Sequence, residues 1–318
     1  MIKLSVIIPT KNRSKILYKA LQSIVNQTLS SREGEYEVIV VDNGSTDDTG
    51  KIVNSFKEHI KNLVYIYDPK PGLHIGRHRG LLVSKANILV YADDDIEALP
   101  TWLESILISF EDPNVVLVGG KNLPNFESDP PDWILKMWQK HNNKIINYLS
   151  ILDFGDNIQE ISPFYIFGCN FSIRKNILLE AGGFHPDGMP QELIRYRGDG
   201  ETHVSEYIEK KGYKTVYNPN ASVYHLVSEK RMTKEYFKQR AYNQGVSDSY
   251  TAIRSGKKNI FIKLLIKINI KKYLLHANVE LDESFFLGYY YHQEQAKNDP
   301  KLLEWIKRQS YINSGDFE

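Results

Sequence analysis

Five short apolar runs, at residues 4–8, 38–41, 63–67, 88–91 and 115–118, most constrain what this chain can become. They are rich in Val, Ile and Tyr and nearly continuous rather than alternating, the pattern of strands buried on both faces. Helical patterns separate them at 15–26, 49–60, 75–85 and 102–110. Strand and helix alternating at this spacing predict right-handed βαβ units in an α/β, doubly wound, mostly parallel sheet over residues 1–120.

The pattern then breaks. Pro124, Pro130, Pro131 and Pro163 punctuate residues 122–163, where only a short helix at 132–141 is expected. Regularity returns with a strand at 171–173, helices at 175–181 and 201–211, and strands near 215–217 and 222–225. From residue 229 onward the reading is helical. The 318 residues, 42% hydrophobic, can fill a sizeable core, so two domains or one large domain with an appendage are expected. The boundary is placed at 228, with residues 1–228 an α/β domain and 229–318 a C-terminal helical extension.

Charge and cysteine content exclude whole classes. A net charge of +1 gives no polyelectrolyte attraction for nucleic acid. Cys169 is the only cysteine, so neither a disulfide framework nor a multi-cysteine zinc site can form. No stretch approaches the roughly 18 apolar residues of a spanning helix, and the chain opens directly into a strand-like run. A cytoplasmic protein is therefore expected.

Chemistry gathers where the strands end. Asp93, Asp94 and Asp95 directly follow the run at 88–92. Three adjacent carboxylates repel unless a cation or several donors compensate them, and carboxylates suit Mg²⁺ or Mn²⁺. In an open α/β sheet the carboxyl ends of the strands are where ligands bind; the plainer alternative is a solvated acidic turn. Pro9, Thr10, Lys11, Asn12 and Arg13 follow the first run, with donors and acceptors for a base edge and a guanidinium for phosphate. Asp42 ends the second run ahead of an Asn43-Gly44 turn and could accept from a base imide. Arg77 sits in Gly72-Leu-His-Ile-Gly76-Arg77-His78-Arg79-Gly80, which is neither a dinucleotide fingerprint nor a P-loop.

Together these segments resemble the family 2 glycosyltransferases of GT-A fold, and the resemblance extends through Gly168-Cys169-Asn170, Gly182-Gly183-Phe184, Asp199-Gly200-Glu201 and Val223-Tyr224-His225, covering residues 3–228. It implies an inverting transfer from a nucleotide-diphosphate sugar (UDP favoured, GDP or dTDP as alternatives) to a glycan, lipid-linked or protein acceptor in polysaccharide or glycoconjugate synthesis. Residues 1–120 would be the nucleotide-binding half and 121–228 the acceptor-binding half. By the same resemblance Pro9, Thr10, Asn12, Arg13, Asp42, Arg77, Asp93 and Asp94 hold the donor nucleotide. Asp95 and His225 hold Mn²⁺ or Mg²⁺. Family members usually carry two adjacent acids ahead of the helix that precedes Gly-Tyr. Counting back from Gly212-Tyr213 aligns Glu201 with the catalytic base and puts Gly200 where its acidic neighbour stands, with Asp199 the alternative base. Trp133, Trp138 and Asn170 are the acceptor-side candidates.

Two rivals remain open: a non-catalytic nucleotide-sugar or glycan binder, and a sugar-nucleotidyltransferase, whose Gly-rich loop Pro9–Arg13 lacks. One feature stands apart. Residues 229–275 carry 12 Lys/Arg against 3 Asp/Glu, and Lys263, Lys267 and Lys271 fall at i, i+4 and i+8. On a helix they form one narrow cationic stripe, with Phe261, Ile262, Leu265, Ile266 and Ile268 covering most of the opposite side. Residues 257–275 are thus expected to lie on the inner face of a membrane, to pack on the α/β domain, or to join a second subunit in a homo-oligomer.

Overall fold

The computed structural model describes residues 1–31, 35–139, 144–257, 261–274 and 278–313. The first half alternates as expected: β1 (Leu4–Thr10), α1 (Ser14–Val25), β2 (Tyr36–Asp42), α2 (Thr49–Ser55) and β3 (Leu63–Tyr67). It continues with α3 (Leu73–Val83), β4 (Ile88–Ala92), β5 (Ile96–Ala98), α4 (Trp102–Ser109) and β6 (Val115–Gly119). Then come β7 (Asn122–Phe126), α5 (Asp132–Gln139), β8 (Lys144–Ile146), β9 (Ile151–Asp153) and β10 (Gln159–Glu160). β11 (Asn170–Arg174), α6 (Lys175–Glu180), α7 (Thr202–Lys211), β12 (Lys214–Tyr217) and β13 (Val223–Val227) complete the two sheets. Four helices follow: α8 (Lys234–Arg254), α9 (Phe261–Asn269), α10 (Glu280–Asn298) and α11 (Pro300–Ile306). Residues 140 and 141 of the expected fifth helix lie outside the described residues.

The main sheet runs β10-β12-β6-β11-β4-β1-β2-β3. β1 is parallel to both β2 and β4, β2 to β3 and β12 to β6, whereas β11 runs antiparallel between β4 and β6. The continuous apolar runs have the cause inferred for them. Leu4, Val6 and Ile8 enter a core with Leu17, Leu21, Val53 and Trp102, while Ile7 enters a second core with Leu81, Leu178 and Val204. β1, β2, β4 and β6 are therefore buried on both faces, whereas the edge strand β3 leaves Tyr65 and Tyr67 exposed.

The Pro-punctuated stretch holds more order than its sequence suggested. β7, β8 and β9 join β5 and β13 in a second sheet, β5-β13-β7-β9-β8. That sheet packs Ile134, Ile146, Leu149 and Ile151 against Met232 and Phe237 from the start of the helical region. α8 and α10 then cross with almost no gap. A Cβ at Gly245 would lie 2.0 Å from the Phe285 carbonyl oxygen, and one at Gly288 2.0 Å from that of Tyr242. Only glycine permits this approach.

The helical region is also bonded into the α/β core. Buried His78 of α3 lies with Nδ1 3.0 Å from the Tyr311 carbonyl, and its Nε2 accepts from the Phe184 N–H at 2.9 Å. A carbonyl only accepts, so Nδ1 carries the hydrogen and the ring is neutral. Burial, with the charge of nearby His74 adding, pushes the His78 pKa down to about 3. Burial takes His74 and His292 to about 4. The unfolded chain takes these protons near 6.5 and the folded one does not, so stability is full above that pH and drains as pH falls toward 3–4. Each such histidine removes about 1.4 kcal/mol per pH unit within that window. A Tm falling steadily from pH 7 to pH 5 is the expected result; a flat or rising Tm contradicts it.

Candidate active site

The acidic triplet occupies the tight link between β4 and β5, at the carboxyl end of the central strand. Its neighbours are the loops after β1 and β2. Asn12, at φ 53°, turns the first loop so that its Oδ1 accepts from the Thr46 N–H (2.7 Å) while its own N–H donates to Ser45. That turn presents Thr10 and Arg13 to the triplet. Thr10 Oγ1 donates to Asp94 Oδ2 (2.7 Å), and Arg13 forks between Asp94 and Asp95, reaching Asp95 Oδ2 at 3.0 Å.

The triplet is not three equivalent acids. Burial, reinforced by the charge of Asp95 and opposed by Arg13, pushes Asp94 up to about 7. Burial works upward on Asp95 too, but the bond and charge of His225, with Arg13 and Arg231, outweigh it and hold that carboxyl well below its usual range. His225 Nε2 lies 3.3 Å and Arg231 Nη1 3.6 Å from Asp95. Asp93 faces the other way, toward Arg77 Nη2 at 3.7 Å.

Arg77 joins this cluster to the candidate base. Its guanidinium is buried over the Phe184 ring and its Nη1 donates to Glu201 Oε2 at 3.3 Å. Glu201 Oε1 accepts from the Gly168 N–H at 3.2 Å. Gly168 is dictated by the arginine, since a Cβ there would fall 2.2 Å from Arg77 Nη2. Gly200 has a reason as well: at φ 57°, with Asp187 Oδ2 3.1 Å from where its Cβ would stand, an acid cannot be seated there without strain.

The two candidate bases part company here. Asp199 is buried, taking the Thr251 hydroxyl at 2.7 Å and lying 2.6 Å from His185 Nδ1. Its side chain is 7% exposed against 26% for Glu201. Both line one cavity of about 360 Å³.

Cavities among the described residues surround these groups. One of about 290 Å³ is lined by Pro9, Thr10, Arg13, Asp93 and Asp94, together with Lys11, Asn43 and Gly72. Asp42 and Asn12 are not among its lining residues, because Asp42 accepts from the Tyr65 hydroxyl and the Ser45 N–H and so braces the loop after β2. A cleft of about 570 Å³ opens on the other side of Glu201, between Tyr148, Phe164, Tyr165 and Phe167 and the polar pair Arg240 and Gln244 of α8. Glu201, Arg240 and Gln244 also line a third cavity, of about 360 Å³, that reaches Lys257 and Tyr289.

The three acceptor-side candidates lie apart from this cleft. Trp133 packs edge-on against Phe237 at 4.8 Å, and Trp138 lies under Lys144; neither lines the cleft. Buried Asn170 accepts from Trp102 Nε1 and donates to the Ala221 carbonyl, so its amide is committed to packing. The aromatic wall is instead Tyr148, Phe164, Tyr165 and Phe167. Arg231 and Cys169 were also missed. Arg231 lies in the basic block at 229–275, and Cys169 stands inside the Gly168-Cys169-Asn170 motif without being singled out.

The residues suit a hard divalent cation. Asp93, Cys169 and His225 each bring a ligand atom within 4.8 Å of the others, and His225 Nδ1 is buried without a hydrogen-bond partner among the described residues. Burial pushes the Cys169 thiol well up, and it accepts from the Asn122 amide at 3.3 Å. A neutral, soft sulfur suits neither Mg²⁺ nor Mn²⁺, which leaves two carboxylates and an imidazole.

A main sheet wound on both faces, with acids and arginines at its carboxyl ends, is the setting in which open α/β folds bind their ligands. The chain belongs to Glycosyl transferase family 2, whose sequence model matches residues 5–182. It is 23% identical over 282 residues to the glucosyl-dolichyl phosphate glucuronosyltransferase of Haloferax volcanii, covering 84% of each chain. Among solved structures it resembles the mannosyltransferase PcManGT of Pyrobaculum calidifontis in complex with GDP-Man and Mn²⁺ (TM-score 0.55, 19% identity, 98% of this chain and 84% of that one). It also resembles S. aureus TarS 1–349 in complex with UDP-GlcNAc (TM-score 0.52, 16% identity, 93% and 92%). These likenesses show the GT-A fold. The protein is a glycosyltransferase.

Proposed function

We propose that the protein moves a sugar, with inversion, from a nucleotide-diphosphate sugar to a hydroxyl of a glycan or lipid-linked acceptor in glycoconjugate synthesis. One observation carries this reading: Arg77 bridges Asp93, which lines the cavity beside β1, and Glu201, which lines the aromatic-walled cleft. A donor in the first cavity and an acceptor in the second would meet at that bridge.

Glu201 takes the acceptor proton, its carboxylate aimed by Arg77 and the Gly168 N–H. The freed oxygen attacks the anomeric carbon from the face opposite the diphosphate. The new C–O bond forms as the old one breaks, and the diphosphate leaves with the bonding electrons. Arg13 and Lys11 offer positive charge to it, and the walls of Tyr148, Phe164 and Tyr165 orient the acceptor and exclude water. A divalent ion held by Asp93, Asp95 and His225 would supply further neutralisation of the diphosphate.

UDP-sugars are the favoured donors; the two solved relatives carry UDP-GlcNAc and GDP-Man. A lipid-linked acceptor is supported by the Haloferax relative, whose name includes a dolichyl phosphate. The test is a panel of UDP-, GDP- and dTDP-sugars with Mn²⁺, read by thermal shift and by released nucleoside diphosphate. One donor should both stabilise the protein and be turned over. Stabilisation without release would favour a binding protein, and release of a nucleoside triphosphate in pyrophosphate would favour a nucleotidyltransferase.

A further inference from the structure

We propose that α9 docks the protein on an anionic lipid bilayer. The sequence left open whether the apolar side of this helix packs inward, and the structure gives the opposite arrangement. Among the described side chains of α9, Ile268 is the buried one, at 6% exposure. Ile262 (69%), Leu265 (40%) and Ile266 (53%), with Ile270 (45%) just beyond the helix, face outward. On a helix these four fall within one sector, and the exposed Lys263 and Lys267 border it. Scattered exposed aliphatics are ordinary; a contiguous strip of four marks a contact surface.

Charge identifies the occupant. Lys271 and Lys272 are spent on Asp282 and Glu283 of α10, which fasten the end of the segment to the body of the protein. Lys263 and Lys267 make no ion pair with a described residue. An aliphatic strip edged by free lysines matches the acyl and headgroup levels of an anionic leaflet. A second copy of the same face would bring like charges together. No helix among the described residues is long and apolar enough to cross a membrane, so the helix would lie in the interface. Residues 258–260 and 275 of the expected basic segment, and the side chain of Phe261, lie outside the described residues. Placement adds support: Lys257, four residues before α9, and Tyr289 of α10 line the cavity that also reaches Glu201. A bilayer on α9 would thus lie beside an opening toward the candidate base.

The test is flotation of the full-length protein with phosphatidylcholine vesicles, with and without phosphatidylglycerol, at low and high salt. Binding to the phosphatidylglycerol vesicles at low salt, weakened by salt, is expected. Each near-surface lysine is worth about fivefold, so the Lys263→Gln/Lys267→Gln double variant should partition about 30-fold more weakly. Ile262→Glu/Ile266→Glu should not bind at all, and the exposure of all four positions predicts an unchanged Tm for both variants. Absent flotation, or flotation indifferent to headgroup charge, overturns the proposal. So does a dimer in sedimentation that Ile262→Glu/Ile266→Glu splits, because the strip would then be an interface between copies.

Discussion

Replacing Glu201 by Gln should lower turnover about 10²–10⁴-fold while donor affinity stays nearly unchanged. The amide keeps the shape and the bond from Gly168 but cannot take a proton. Donor affinity is spared because Glu201 lines the aromatic-walled cleft and not the cavity beside β1. Asp199→Asn should behave differently. Burial works upward on the Asp199 carboxyl, but His185 and Thr251 outweigh it and hold the pKa low. A depressed carboxylate stabilises the fold above its usual range and loses that contribution as pH falls, and Asn lacks it at every pH. The expected loss is about 1–3 kcal/mol of stability from an impaired buried network. Turnover per folded molecule should fall far less than in Glu201→Gln. If Asp199→Asn instead abolishes turnover at an unchanged Tm, Asp199 is the base.

Asp95→Asn should cost about 10³-fold or more in metal-dependent turnover, several kcal/mol of charge stabilisation at the diphosphate. It should also remove the dependence of donor affinity on Mn²⁺, measured by calorimetry with and without EDTA. His225, Arg13 and Arg231 all converge on Asp95, so its charge orders three other side chains. Cys169→Ser is the informative comparison. If the thiol is only a packing group bonded to Asn122, metal affinity should change little, whereas loss of Mn²⁺ binding would make sulfur a ligand. Full activity in EDTA would remove the metal from the mechanism.

What the sequence made legible follows from how local each signal is. β1, β2 and β4 are buried on both faces, so their apolar runs announce them. β7 and β8 carry no such signal. Asn122–Phe126 contains Pro124, tolerated because the pairing with β9 is confined to Asn122 and Leu152, and Lys144–Ile146 is too short to show a period. At the site, the acids of 93–95 are contiguous, and the positions of Arg77 and Glu201 could be carried over from neighbouring motifs. Arg231 could not. It reaches Asp95 from 136 residues away, and nothing in its own surroundings separates it from the solvated lysines nearby. The aromatic wall was not legible for a related reason: Tyr148 and Phe164 gather only once the second sheet has formed, while Trp133 and Trp138 pack, half-buried, against its core.

The seat of Tyr311 has a consequence in time. Its carbonyl bonds to His78, 233 residues earlier, and its ring is fully buried with Trp305 and Tyr250. At about 5–20 residues per second of synthesis, α3 waits roughly 10–50 s for that partner. Throughout the wait the pocket around His78 stands open, and the imidazole can still take up a proton. A nascent chain can pair β1 with β2 long before it can close the core beneath Arg77, so the cluster around Arg77 gains its last packing partner only once residue 311 has been made.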